Sequence, residues 1–123
     1  MAHALAERKS AQRKANVFLY MFAWETKLMD GRPRAYHCSE IPFIFMNTDR
    51  CDTMTGATEE ARLLSTKVSR AWVSFAKTGN PNHAGLPKWP PFTQDKGETM
   101  IFNNTCKVKH DPDRAFREFY LKL

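Results

Sequence analysis

Cysteine and glycine are scarce in this 123-residue sequence, and that scarcity excludes several kinds of protein. Three cysteines, Cys38, Cys51 and Cys106, cannot all pair within one chain. A sparse, odd count reads as reduced thiols of the cytoplasm rather than the disulfide framework of a secreted domain, although spacing alone allows a Cys38–Cys51 bridge. The five glycines form neither a phosphate-binding loop nor a dinucleotide fingerprint, so no cofactor is expected. His37, Cys38, Cys51, Cys106 and His110 have the chemistry of zinc ligands, but only Cys106 and His110 stand at a fitting interval. Without a matching second pair, no metal is expected. No stretch approaches the ~20 apolar residues of a membrane helix. Residues 1–9 also lack the apolar centre of a signal peptide, so neither membrane nor export is expected.

Apolar material is plentiful. Hydrophobic residues make up 42% of the sequence, with nine Phe and three Trp, enough to drive collapse and to exclude disorder. The length suits one domain. The net charge of +6 includes a cluster at Arg8, Lys9, Arg13 and Lys14. No aromatic-plus-basic recognition motif accompanies the cluster, so it reads as a solvated helix face and no nucleic acid is expected.

The spacing predicts a helix over residues 3–14 and then a strand from Val17 to Trp24. That strand is apolar at odd and even positions alike, the pattern of a strand buried on both faces inside a parallel or mixed sheet. One such strand with few others leaves its own faces uncovered, so neighbouring strands are expected from elsewhere. Residues 25–36 carry turn chemistry at Asp30, Gly31 and Pro33. Pro42 argues against a central strand over Ile41–Phe45, and residues 47–56 read as a polar loop.

The clearest helix runs from Thr58 to Lys77. Thr58 is a fitting N-cap, Glu59 and Glu60 suit the positive end of the dipole, and Gly79 and Pro81 supply the stop. Leu64, Val68, Ala71, Trp72 and Phe75 recur at intervals of three and four, and the Trp72–Phe75 stripe is expected in the core. A proline-rich loop over 80–92 should fold Trp89 inward. Short strands over 98–103 and 106–110 and a terminal helix after Asp111-Pro112-Asp113 complete the chain. His3 is expected frayed, His83 and His110 solvated. Asn103-Asn104-Thr105 matches a glycosylation acceptor, a pattern frequent by chance.

The segment that carries chemistry is Arg34-Ala35-Tyr36-His37-Cys38-Ser39-Glu40-Ile41-Pro42-Phe43-Ile44-Phe45. It places a histidine between a strand and an apolar segment. An imidazole held by rigid elements is a candidate general base, because histidine titrates near neutral pH.

Four segments, in order, resemble the C-terminal part of type-B carboxylesterases, the α/β-hydrolase group of bacterial para-nitrobenzyl esterases and cholinesterases. Val17–Phe22 is similar to the last main strand of that fold, and Ala35–Phe45 to its histidine loop. Ala71–Asn82 and Leu86–Pro90 are similar to the helix and loop that follow. The bacterial branch fits better. The resemblance implies an α/β fold, here a C-terminal fragment with a few strands and three or so helices. Residues 1–123 would then be an incomplete domain.

It further implies that His37 is the histidine of a serine–acid–histidine triad. His37 would take the proton from the serine hydroxyl and return it to the leaving alcohol. Glu40 matches the glutamate after that histidine, and a carboxylate there would brace the loop by hydrogen bonds. Cys38 departs from the small residue or threonine that often follows the histidine, and a lone loop cysteine is more often inert.

Ser10, Ser39, Ser65, Ser69 and Ser74 all lack Gly-x-Ser-x-Gly flanks, and no glycine-rich oxyanion loop is present. Asp30 is the only nearby upstream aspartate, and its turn position matches no family acid. The sequence alone is therefore expected to be inactive, acting on a carboxylic ester only within a complete enzyme. The alternative is a non-catalytic, oligomerising or protein-interaction module built on the same fold. On either reading the chain is expected to associate, with a second copy or with the N-terminal part of the fold.

Overall fold

The computed structural model describes residues 2–120 and 122. Helix α1 (Ala2–Ala11) leads to strand β1 (Leu19–Phe22), a tight turn over Leu28–Gly31, and two single-turn helices, α2 (Ile41–Ile44) and α3 (Asp52–Thr55). The long helix α4 (Glu59–Thr78) follows, then β2 (Glu98–Phe102), β3 (Lys107–His110) and α5 (Arg114–Tyr120). The three strands form one sheet in chain order, with β1 parallel and β3 antiparallel to β2.

The sheet corrects the expectation for the first strand. β1 covers only Leu19–Phe22 and lies at an edge, with all four residues half-buried. The strand buried at every position is β2, because it alone has neighbours on both sides. Its Glu98 and Thr99 hid that from the alternation of the sequence.

Glu98 is buried at 5% exposure, and the Thr93 backbone N–H and hydroxyl donate to its carboxylate at 2.7 and 2.9 Å. Burial pushes the acid up. Hydrogen bonds from its own backbone and from Thr93, with the charge of His110, outweigh that and hold it below the usual range. A carboxylate whose folded pKa is depressed adds stability that is fully present above its unfolded pKa of about 4.3 and lost as pH falls through the folded value. Glu98→Gln should therefore lower the melting temperature at pH 7, and the gap from the parent should close as pH falls through the depressed pKa of the folded state. Thermal unfolding across pH 3–7 checks this.

Helix α4 has the expected caps. Thr58 Oγ1 accepts from Ala61 N at 3.2 Å, and Gly79, at φ 72°, closes the helix with its N–H on the Phe75 carbonyl. Leu64, Val68 and Ala71 enter the core with Trp24, Phe43, Trp89, Met100 and Phe102. The expectation for Trp72 and Phe75 fails. They stay 43% and 44% exposed, because the sheet ends at β1 and is narrower than the helix face above it.

Trp89 folds inward as expected, and the side-chain amide of Asn82 fixes it. That amide donates to the Trp89 carbonyl at 2.8 Å and accepts from its N–H at 2.7 Å.

Three further expectations change. His3 is not frayed: it packs edge-on to Phe92 and lies 3.4 Å from both Glu7 and Asp111. His83 is not free in solvent, since Nε2 sits 3.0 Å from the Lys67 carbonyl and Gly85 N–H meets Nδ1. The loop over 47–56 contains α3, held where Thr55 Oγ1 donates to the Thr48 carbonyl at 2.6 Å. Arg8, Lys9, Arg13 and Lys14 are all exposed, as a solvated face requires.

Candidate functional site

After β1 the chain passes through Trp24 and the 28–31 turn, then enters the His37 loop. Two hydrogen bonds fold the loop: Ser39 N–H donates to the Tyr36 carbonyl at 3.1 Å, and Ile41 N–H to the Cys38 carbonyl at 3.2 Å. His37 and Cys38 are thus the central pair of a four-residue turn. Cys38 has φ 65°, the left-handed requirement of the third residue in a type II turn, where glycine is preferred. A side chain in this region costs about 1–2 kcal/mol. Part of that returns through the larger chain entropy of unfolded glycine, about 0.4–1 kcal/mol. Cys38→Gly should therefore stabilise the fold by up to about 1 kcal/mol in urea unfolding, and a loss would contradict the strain.

The loop is anchored on each side of the exposed His37. Upstream, half-buried Tyr36 lines a small cavity with Thr26, Leu28, Pro33, Thr53 and Met54. Burial pushes its phenol up, and the neighbouring Cys51 thiol adds to that. Downstream, Ser39 is buried and Pro42 starts α2, which inserts Phe43 into the core at 0% exposure. The Phe43 ring meets Phe22 at 4.9 Å and Trp24 at 5.0 Å, and its carbonyl accepts from Ser65 Oγ of α4 at 2.9 Å. The strand end, α2 and α4 therefore meet at one side chain six positions beyond His37.

No hydrogen bond or ion pair engages the His37 imidazole among the described residues. Glu40 does not brace the loop through its carboxylate in that way either. Its backbone carbonyl accepts from Phe43 and Ile44, both at 3.0 Å, and starts α2. Its side-chain charge is felt by Tyr20, whose phenol is pushed up first by burial and then by Glu40.

The three thiols are free, so Cys38 and Cys51 do not bridge. Among the described residues no three His, Cys, Asp or Glu side chains gather as a metal site would require, and no helix is long and apolar enough to cross a membrane. Asn103 is engaged, its amide donating to the Ala23 carbonyl at 2.9 Å.

The carboxylesterase family profile matches residues 2–120. This chain belongs to the carboxylesterase family. The para-nitrobenzyl esterase of Bacillus subtilis (strain 168) is 33% identical over 117 residues, which is 94% of this chain and 24% of that protein. A solved esterase from Clostridium hathewayi, described as hydrolysing aliphatic aromatic polyesters, superposes with a TM-score of 0.80 at 38% identity. The match covers 94% of this chain and 23% of that one. A thermophilic PNB esterase gives 0.81 at 34% identity over the same shares. The carboxylesterase chain thus carries part of an α/β-hydrolase fold and spans about a quarter of the length of the relatives it matches.

Proposed function

We propose that the chain supplies the general-base histidine of a serine-type carboxylic ester hydrolase. His37 takes the proton of a serine hydroxyl during acyl transfer and delivers it to the leaving alcohol, so that no net proton is consumed by His37 over the cycle. The observation that carries this reading is the placement of His37. It stands exposed in a turn closed by the Ser39-to-Tyr36 and Ile41-to-Cys38 backbone hydrogen bonds and followed by fully buried Phe43, with its ring committed to no other described group. A base on such a mount keeps its position while its nitrogens remain available. Glu40 acts as a positioning residue, its backbone carbonyl accepting the first hydrogen bonds of α2.

The nucleophile elbow, the oxyanion donors and the triad acid come from the remainder of the esterase domain, since no serine in this sequence has the glycine flanks of an elbow. The chain alone is then inactive, and an ester is its substrate only in the assembled enzyme. Its three free thiols suit the reducing cytoplasm.

Hydrolysis of a short para-nitrophenyl ester by the purified chain, beside His37→Ala, tests this. Both proteins should give only the slow background of free imidazoles. Fast turnover that requires His37 and stops with a serine-directed inhibitor would place a nucleophile within this chain and overturn the proposal.

A further inference from the structure

Helix α1 is held to the sheet by little apolar contact. Ala6 is its one buried side chain among the described residues. Two long hydrogen bonds add to that: Ser10 Oγ donates to the Phe92 carbonyl and the Gln94 amide to the Glu7 carbonyl, both at 3.4 Å. A helix docked so sparingly opens at low free-energy cost, so one charged contact can decide how firmly it sits.

His3 supplies that contact. Its ring packs on Phe92, and its two nitrogens meet different carboxylates. Nδ1 lies 3.4 Å from Glu7 Oε1, one helical turn on, and Nε2 lies 3.4 Å from Asp111 Oδ1, at the junction of β3 and α5. A neutral imidazole has one N–H and one lone pair, so in either tautomer a lone pair faces a carboxylate. Only the imidazolium donates at both nitrogens. Nε2 is buried and still short of a hydrogen bond, and a proton there is drawn to Asp111 by charge as well as by position.

The surrounding charges leave room for one more cation. Among the described residues Glu7, Asp111 and Asp113 are set against Arg114 and Arg117, three carboxylates to two guanidiniums, and a proton on His3 balances the group. Burial pushes the Asp111 carboxyl up, but its bonds to Arg114 and Arg117 outweigh that and hold it below the usual range, so it stays ionised at neutral pH. Tyr20 of β1 lines the same small cavity, and its phenol, pushed up by burial and then by Glu40, stays neutral there. Of the neighbours on either side of this junction, Glu98 is held by Thr93, and exposed His110 acts on Glu98. Imidazole is the side chain that changes charge in this range.

We propose that His3, Glu7 and Asp111 form a proton-operated latch, closed when the imidazole is protonated, that fixes α1 to the junction of β3 and α5. Acidification through the neutral range tightens α1 against the sheet. The added hold is lost as pH rises, and α1, the helix that leads into β1, is released.

Hydrogen exchange of the whole chain at about pH 5.5 and about pH 8, corrected for the intrinsic pH dependence of amide exchange, tests this. The α1 amides should be about threefold better protected at the lower pH, the size of one partly exposed ion pair. In His3→Gln, which keeps an N–H but carries no charge, they should show the weaker protection at both pH values. Glu7→Gln removes one of the two acceptors and should shrink the difference. Equal α1 protection at the two pH values in the parent overturns the proposal. So does an unchanged difference in His3→Gln, which would put the titrating group elsewhere. Should His3→Gln disturb the helix itself, Glu7→Gln decides: a reduced difference upholds the latch, and an unchanged one overturns it.

Discussion

Phe43→Ala should lower the free energy of unfolding by about 3–5 kcal/mol, the range expected for truncating a fully buried aromatic. Phe43 is fully buried where Phe22, Trp24 and α4 converge, so truncation leaves a cavity that three elements would have to move together to fill. A domain of ordinary stability has about 5–15 kcal/mol in all, so the variant should be near its limit at body temperature. Urea unfolding followed by circular dichroism measures the loss. Hydrogen exchange should also rise through residues 38–45, because α2 is the downstream anchor of the His37 loop. A cost under about 1 kcal/mol, in the range of an ordinary substitution, would mean that α2 does not hold the loop.

His37→Ala should produce the opposite pattern. The side chain is exposed and makes no described hydrogen bond, so its removal should change stability by less than about 0.5 kcal/mol. In the assembled esterase it should lower kcat by at least about 10³-fold, since the serine hydroxyl loses its proton acceptor and the leaving alcohol its donor. The split between a large activity effect and a negligible stability effect is what distinguishes a base from a packing residue. Steady-state hydrolysis of a para-nitrophenyl ester, beside thermal unfolding of the same preparations, checks both halves.

Much of this was legible from residue patterns, where the signal was local. Thr58, Glu59, Glu60 and Gly79 bound α4 as their capping chemistry requires, with Thr58 bonded to Ala61 and Gly79 at φ 72°. Trp89 turned inward, and the terminal strands and helix fell within a residue or two of expectation. The resemblance in four ordered segments pointed to the family, and the family match over residues 2–120 bears that out.

What was not legible depends on partners distant in sequence. The apolar run Val17–Trp24 could not say that β1 would be an edge, nor Glu98 that its carboxylate would be satisfied by Thr93 inside the most buried strand. Trp72 and Phe75 have the periodicity of core residues, and periodicity does not register how wide the opposing sheet is. The left-handed turn at Cys38 was hidden because a cysteine occupies a glycine position.

The measurement that bears most directly on the catalytic claim is labelling of the assembled esterase with a fluorophosphonate, which reacts with a serine only when that serine is activated. With the parent chain, label should appear on the elbow serine supplied by the remainder of the esterase domain, and with His37→Gln in an equally assembled enzyme it should vanish. Equal labelling with His37→Gln would contradict the account and show that the base lies elsewhere.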